Sequence, residues 1–171
     1  MTYGDAAPPG VIPAKAGIHA ASSLDRESDW TPAFAGVTDL FEKRITATEA
    51  DIDELGHVNN AVWVRWIQDL ATAHWEAVAP PEHQAAYLWV VTRHEIDYLR
   101  AVLPGETVTG RTWVPDPPRG ARFDRHMEFL GTDGKARVRA VTTWAIVDRA
   151  TGRPLRVPKD VAAPFLRGQS I

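Results

Sequence analysis

The sequence predicts an α+β domain in which one long helix packs on an antiparallel sheet. Three observations support this fold class: a strand-like segment at residues 40–49, one amphipathic segment at residues 59–79, and four strand-like segments after it. Consecutive strands on short connections favour antiparallel pairing, and a lone helix buries its apolar stripe on one face of the sheet. We therefore expect two layers, with one helix and about five strands.

The long helix is predicted by apolar residues at helical spacing. Residues 59–79 contain no turn signal, and Pro80 and Pro81 end the segment because proline lacks a backbone N–H. The apolar side chains recur every three or four residues and form a wide stripe over about five turns, with charged residues largely opposite. The stripe consists of Val62, Trp63, Trp66, Ile67 and Leu70.

The strands are predicted by β-branched content and by alternation of apolar and polar residues. Between the last two, the sequence "GTDGK" predicts a hairpin, because Asp133-Gly134 suits the positive φ angles of a tight turn. The residues after the last strand read as a turn and a tail broken by prolines. The predicted strands are residues 40–49, 87–99, 107–114, 121–130 and 136–147.

Alternation also predicts which side chains share a face of a strand. In residues 121–130 the shared face holds Phe123, Met127 and Phe129. In residues 87–99 it holds Leu88, Val90, Thr92, Ile96 and Tyr98.

Composition excludes several classes of function. The 171 residues carry a net charge of −3, so no basic surface predicts nucleic-acid binding. No uncharged apolar run reaches the roughly 18 residues of a membrane span. There is no cysteine, which excludes disulfides and thiolate sites and fits a cytoplasmic location. No spaced set of histidines predicts a metal site, and we expect no cofactor.

The first 38 residues differ from the rest of the chain. They are rich in Pro, Gly, Ala and Ser, and "PAKAGI" at residues 13–18 returns as "PAFAGV" at residues 32–37. This pair resembles the translated product of dispersed palindromic repeats found between bacterial genes. We expect residues 1–38 to be a disordered or non-native extension, with translation beginning near Val37, and residues 39–171 to form the domain. The alternative is a genuine flexible tail.

The segment before the helix resembles a family signature. The stretch "DIDELGHVNNAVWVRWIQDL", residues 51–70, is similar to the motif of hotdog-fold acyl-CoA thioesterases of the 4-hydroxybenzoyl-CoA thioesterase-like family. The resemblance extends over about residues 40–167. It implies a sheet wrapped around a central helix, and a site between subunits of a homodimer or homotetramer. Ala101 and Trp63 depart from the residues that many relatives carry, Pro and Tyr.

The same resemblance implies a catalytic role for Asp53. It matches the family's catalytic carboxylate, which acts as a nucleophile or as a general base for water. The start of the helix supplies free N–H groups and partial positive charge that polarise a thioester carbonyl. The alternative is that Asp53 has only a structural role, as a loop residue or a remote helix cap. Asp51, its neighbour in the motif, is interpreted as solvated or structural.

The other polar residues of the motif have two interpretations each. Asn59 suits an N-cap or a substrate contact, and Asn60 occupies a position where the family often carries a polar active-site residue that orients the carboxylate or water. His57 is a candidate to bind substrate or carry a proton, or a structural loop histidine. Gly56 would let the backbone approach a substrate closely.

Three further residues are predicted to bind substrate. Trp63 lies one turn into the helix, where it lines the acyl pocket or belongs to the core. Arg119 and Arg122 flank the loop where the family often places basic side chains against the nucleotide end of coenzyme A, although solvated turn arginines would look the same.

The predicted function is hydrolysis of a fatty or aromatic acyl-CoA. Two alternatives remain: a hotdog protein that binds acyl-CoA without cleaving it, and an acyl-ACP thioesterase. In the plant-type acyl-ACP enzymes Asp, Asn and His alternate, whereas this chain has Leu55 in the middle position. A hotdog dehydratase would need a different His/Asp arrangement.

Overall fold

The computed structural model describes residues 40–166. The predicted extension at residues 1–38 lies outside the described residues. Within them the helices are α1 (Asn60–Val78), α2 (Pro81–Ala86) and α3 (Lys159–Ala162). The strands are β1 (Phe41–Thr46), β2 (Tyr87–Tyr98), β3 (Thr107–Trp113), β4 (Arg122–Leu130) and β5 (Ala136–Asp148).

The five strands form one antiparallel sheet in the order β1-β3-β4-β5-β2. β2 pairs with β5, so the connection at residues 99–106 carries the chain from the edge strand β2 across the sheet to β3, which lies beside the opposite edge strand β1. The sheet is therefore not a simple meander, although all its pairs are antiparallel. The predicted α+β class, with five strands and one long helix, is confirmed.

Helix α1 buries its predicted stripe against one face of the sheet. Trp66, Ile67 and Leu70 are almost completely buried, and they belong to one apolar cluster with residues of β3, β4 and β5. Gly110 in β3 permits this close packing, since a Cβ there would lie 3.0 Å from Leu70 and from Phe129. The spacing of apolar residues thus predicts both the helix and the face that it buries.

A second apolar cluster lies beyond the C-terminal half of α1. Trp75 stacks on Phe165, and Phe165 meets Phe123 of β4 edge to face. Residues 159–165, expected to belong to a tail broken by prolines, instead form α3 and a 3₁₀ turn whose apolar side chains fill this cluster. Helix α2, which Pro81 begins, is also absent from the prediction.

One predicted strand face is wrong because β2 contains a bulge. Val91 pairs with Trp144 and Arg93 with Thr143, which leaves Thr92 outside the register, although its hydroxyl donates to the Thr143 carbonyl of β5 at 3.1 Å. An extra residue reverses the alternation, so Val91 and Ile96 both pack on the core although their spacing is odd. Leu88 and Val90, predicted to share a face with Ile96, are instead exposed.

Candidate active site

The loop before α1 is a small closed turn. Ile52 and Val58 form an isolated antiparallel bridge, and between them the Asp53 N–H donates to the His57 carbonyl at 3.0 Å. Gly56 closes the turn with a φ of 80°, a conformation that side-chain-bearing residues rarely adopt. A Cβ at Gly56 would meet no atom within 4 Å, so the turn itself explains this glycine, and its predicted substrate contact remains a prediction.

Asp53 presents a partly fixed carboxylate in this turn. Its side chain is 20% exposed, and Oδ1 accepts a hydrogen bond from the Leu55 N–H at 2.9 Å. The His57 Nδ1 lies 3.8 Å from the same oxygen, which is ion-pair range but too long for a hydrogen bond. Within residues 40–166, Oδ2 accepts no hydrogen bond. One oxygen is thus held by the loop while the other is free for chemistry.

Asn59 and Asn60 have different roles at the start of α1. The Asn59 Oδ1 accepts from the Ala61 N–H at 2.8 Å, so Asn59 is the N-cap of α1. The Asn60 N–H, at the first helical position, makes no hydrogen bond in the part of the chain that the structure describes. It therefore offers a donor with the partial positive charge of the helix end.

The substrate contact predicted for Asn59 and the orienting role predicted for the Asn60 side chain remain predictions. The oxygen of Asn59 is occupied by the cap, which leaves its amide N–H groups for a substrate. The side chain of Asn60 is exposed and forms no described hydrogen bond with Asp53. The carbonyl of Asn60 accepts from the Tyr98 hydroxyl at 3.3 Å, which connects the helix start to the end of β2.

Of the two interpretations of Asp51, solvated or structural, the structural one is correct, because its side chain is buried and hydrogen-bonded. Its Oδ2 accepts from the Thr48 N–H at 2.9 Å and from the Thr48 hydroxyl at 2.7 Å, and its Oδ1 accepts from Arg65 of α1. The hydrogen bond from the Thr48 backbone is the main reason that the pKa of Asp51 lies below its usual value. Its carbonyl also accepts from the Asn59 N–H. Asp51 thereby fixes the loop that carries Asp53 to the helix.

The structure does not bring the other predicted binding residues together with Asp53. Trp63 is 3% exposed and meets Trp66 and Phe129 edge to face, so it belongs to the core. A substrate contact by Trp63 remains a prediction that depends on this small exposed fraction.

Arg119 and Arg122 are exposed and line an open groove whose charged lining also includes Arg93, Asp116 and Asp124. Arg122 precedes Phe123, which belongs to the cluster beyond the C-terminal half of α1, whereas Asp53 precedes its N-terminus. Because α1 has 19 residues and is about 28 Å long, the two sets lie towards opposite ends of the helix.

Sequence reasoning missed a buried polar pair beneath the helix. Arg125 of β4 is 7% exposed and His74 of α1 is 1% exposed, and the Arg125 Nη1 lies 2.8 Å from the His74 Nδ1. The same Nη1 donates to the Thr112 hydroxyl at 3.0 Å. Burial lowers the pKa of Arg125 to about 10, and burial together with the Arg125 charge lowers the pKa of His74 to about 3. His74 is therefore a neutral acceptor.

A signal for this pair was present in the sequence. In residues 121–130 the alternation that puts Phe123, Met127 and Phe129 on one face puts Arg125 on the same face. A single arginine on an apolar strand face must either be paired or line a cavity. The structure gives a cavity of about 310 Å³, lined by Arg125 together with Trp75, Trp89, Phe123 and Trp144.

No helix among the described residues is long and apolar enough to cross a membrane. In the same part of the chain, no group of three or more His, Asp or Glu side chains is placed to hold a metal ion.

Comparison with known proteins agrees with this geometry. The family model of the thioesterase-like superfamily matches residues 48–165, which is more than half of the chain. No curated protein shows a significant match. Many solved structures are similar in fold at low sequence identity.

Three of these structures illustrate the likeness. A predicted thioesterase from Bacillus stearothermophilus is 21% identical, with a TM-score of 0.67 over 75% of this chain and 96% of that chain. A hypothetical protein from Staphylococcus aureus in complex with CoA is 17% identical, with a TM-score of 0.70 over 80% and 90%. A thioesterase complexed with coenzyme A and Zn from Thermus thermophilus is 22% identical, with a TM-score of 0.64 over 73% and 90%.

At these identities the structures establish the fold, and the family match establishes the family. The predicted hotdog fold is confirmed, and the expectation of a thioester hydrolase is confirmed at the level of the family. With its antiparallel sheet packed on one long helix and its Asp53 loop at the start of that helix, this chain belongs to the thioesterase-like superfamily.

Proposed function

We propose that this protein hydrolyses a fatty or aromatic acyl-CoA to the free acid and coenzyme A. The observation that carries the proposal is that the segment leading into α1 holds two groups without a hydrogen-bond partner among residues 40–166: the carboxylate oxygen Oδ2 of Asp53 and the N–H of Asn60. Hydrolysis of a thioester needs such a pair, because one group activates the nucleophile while the other stabilises the oxyanion. The coenzyme A complexes of similar folds support the choice of carrier.

The proposed reaction has two versions. In the first, Asp53 Oδ2 removes a proton from water, the hydroxide attacks the thioester carbon, and the tetrahedral intermediate expels the thiolate of coenzyme A. In the second, Oδ2 itself attacks the carbon and expels the thiolate, and water then cleaves the resulting anhydride. In both, the oxyanion accepts a hydrogen bond from the Asn60 N–H, and one such donor contributes roughly 10²–10³ in rate.

The neighbouring side chains have supporting roles in this proposal. His57 is about one-third exposed and lies close enough to Asp53 to carry a proton or to contact the substrate. The Asn60 side chain orients the attacking water. Gly56 and the amide of Asn59 line the approach of the thioester, and Arg119 and Arg122 bind the phosphates of coenzyme A.

The proposal includes a homodimer or homotetramer in the cytoplasm. β2 is an edge strand with one side unpaired within the described chain, and Leu88, Val90, Tyr98 and Leu99 are exposed on it or beside it. An open apolar edge favours pairing with a second copy. A second copy there also resolves the separation of Arg119 and Arg122 from Asp53, because the arginines of one subunit can serve the loop of the other. Light scattering measures the mass directly, and a monomer would contradict this part of the proposal.

The test of the mechanism is Asp53→Asn, which keeps the shape of the side chain and removes its charge. Release of free thiol is measured for a panel of acyl-CoAs of different chain length, together with aromatic ones. We expect the variant to lose about 10²–10⁴ in kcat, the usual contribution of a general base. Glu54→Gln is the matched control, because Glu54 is the exposed neighbouring carboxylate of the same loop, and we expect it to stay within about twofold.

Three outcomes would contradict the proposal in different ways. Equal activity of Asp53→Asn and the wild type would remove Asp53 from the chemistry. Binding of acyl-CoAs without hydrolysis by the wild type would favour a binding protein. Activity on acyl-ACP alone would show that the substrate is carried by acyl carrier protein and not by coenzyme A.

A further inference from the structure

The cavity beneath the helix contains a charge that the described chain does not neutralise. Arg125 lines it, and no carboxylate within residues 40–166 forms an ion pair with this guanidinium. Its nearest polar neighbours, His74 and Thr112, are both uncharged and both contact Nη1. The guanidinium carbon also lies 5.3 Å from the centre of the Phe165 ring. A buried cation without a counterion is costly unless something anionic binds it.

The donors of Arg125 are arranged for a further partner. Both described hydrogen bonds leave from Nη1, so Nε and Nη2 have no described acceptor. Two N–H groups on one edge of a guanidinium are the pattern that binds a carboxylate with two parallel hydrogen bonds. His74 and Thr112 hold the guanidinium in place, so little further entropy is lost when a ligand binds.

The remainder of the cavity is suited to the apolar part of a ligand. Its volume of about 310 Å³ is at the lower end of the range for small-molecule sites, and aromatic rings form much of its wall. Arg149 and Glu76 are the other charged residues of the lining, and both are exposed, so they belong to its rim.

The position of the cavity relates it to the active site. Gln68 and Thr72 line it, and they continue the row that starts at Asn60, since residues four apart on a helix lie one above the other. They lie roughly 12 and 18 Å along the helix from Asn60, at 1.5 Å per residue. An acyl group whose thioester lies at the helix start reaches the cavity only as an extended chain, not as a single aromatic ring.

We propose that this cavity binds an extended apolar chain that ends in a carboxylate, which pairs with Nε and Nη2 of Arg125. The carboxylate has two sources: the far end of an acyl chain whose other end is the thioester, or a free fatty acid such as the product. The first source rests on the proposed thioesterase function, and the second does not.

The first experiment measures binding without catalysis. Decanedioate, decanoate and decan-1-ol are titrated into the full-length protein by calorimetry, with quenching of tryptophan fluorescence as a second readout, since three of the cavity walls are tryptophans. We expect at least one acid to bind about tenfold or more tightly than the alcohol. In Arg125→Met we expect the ratio of acid to alcohol to fall to within about twofold.

The ratio of acid affinity to alcohol affinity within one variant distinguishes a lost carboxylate contact from a folding defect. The alcohol still binds only if the apolar cavity is intact. Arg125→Lys retains the charge and is expected to keep part of the preference. Arg149→Met removes the cation of the rim and is expected to keep all of it. Equal binding of acid and alcohol by the wild type, no binding of any of the three, or an undiminished preference in Arg125→Met would each overturn the proposal.

The second experiment identifies the source of the carboxylate. Thiol release is compared for decanoyl-CoA and for the decanedioic acid mono-CoA thioester. A loss of about tenfold to a hundredfold in kcat/KM by Arg125→Met on the acidic thioester alone would identify the far end of the acyl chain. Equal effects on both thioesters, with acid binding still dependent on Arg125, would identify the free acid. Absence of hydrolysis with intact acid binding would contradict the thioesterase function and leave the cavity assignment standing.

Discussion

Replacing Asp51 with alanine is expected to destabilise the protein more than any other single change in the loop before α1. Asp51 is 6% exposed and accepts hydrogen bonds from the Thr48 N–H, the Thr48 hydroxyl and Arg65. Hydrogen bonds to a charged group contribute about 1.5–3 kcal/mol each when they are buried. The Arg65 side chain is 56% exposed, so its bond is largely screened and contributes well under 1 kcal/mol.

Thr48 is also exposed, so in Asp51→Ala water replaces part of the hydrogen bonding that Thr48 loses. The expected loss is therefore about 2–3 kcal/mol in the free energy of unfolding, below the sum of the separate bonds. For a domain of this size that corresponds to a decrease in Tm of roughly 6–12 °C. Calorimetry or a circular-dichroism melt at pH 7 measures the change.

Two matched variants divide the effect among the partners. Thr48→Val removes the hydroxyl and keeps the N–H, so a decrease of about 1 kcal/mol is expected, and Arg65→Gln is expected to stay within about 0.5–1 kcal/mol of the wild type. If Asp51→Ala melts no lower than Arg65→Gln, the carboxylate does not hold the loop. The pKa of Asp51 is lower when folded, so its contribution is present above about pH 4 and is lost as the pH falls through the folded value.

Two further predictions concern the helix. Asn59→Ala removes the cap and is expected to lower the free energy of unfolding by about 1 kcal/mol in denaturant melts, whereas Asn59→Gly should lower it by only a few tenths; equal losses would contradict a side-chain cap. His74 has a pKa of about 3 when folded and 6.5 in the reference state, so the unfolded chain binds the extra proton between these values and stability falls as the pH falls through that window, by at most about 1.4 kcal/mol per unit. His74→Gln is expected to flatten this dependence between pH 6 and 4, and an unchanged slope would show that His74 does not stay neutral.

The sequence predicts the features that depend on local periodicity. The stripe of α1, the hairpin at Asp133-Gly134 and the five strands all follow from spacing and turn chemistry, and all are present. The faces of β2 could not be predicted, because the bulge at Thr92 depends on how β2 pairs with β5. The α3 segment was missed for a related reason, since four helical residues carry almost no periodic signal.

The candidate site was predictable in its parts but not in its hydrogen bonds. The motif identifies Asp53 and the helix start, and cap chemistry identifies Asn59. Asp51 is held mainly by Thr48, three residues earlier, which is the spacing of a capping box, whereas its contact with Arg65 lies 14 residues further along and follows from no short-range pattern. The pairing of Arg125 with His74 joins residues 51 positions apart, so the sequence indicates an arginine on an apolar face but not what accompanies it.

The bulge at Thr92 is a one-residue insertion that the sheet accommodates without turning a core residue of β2 outwards. The Thr92 hydroxyl donates to the Thr143 carbonyl of β5 at 3.1 Å, so substituting Thr92 is expected to remove this bond and to leave the backbone pairing of Val91 and Arg93 in place. Deleting Thr92 would make Val91 and Arg93 consecutive, as their partners Trp144 and Thr143 already are, so Trp89, Val91 and Ile96 would keep facing the core. Related chains are therefore expected to differ by one residue in the length of this strand between Trp89 and Ile96 while keeping the same core positions.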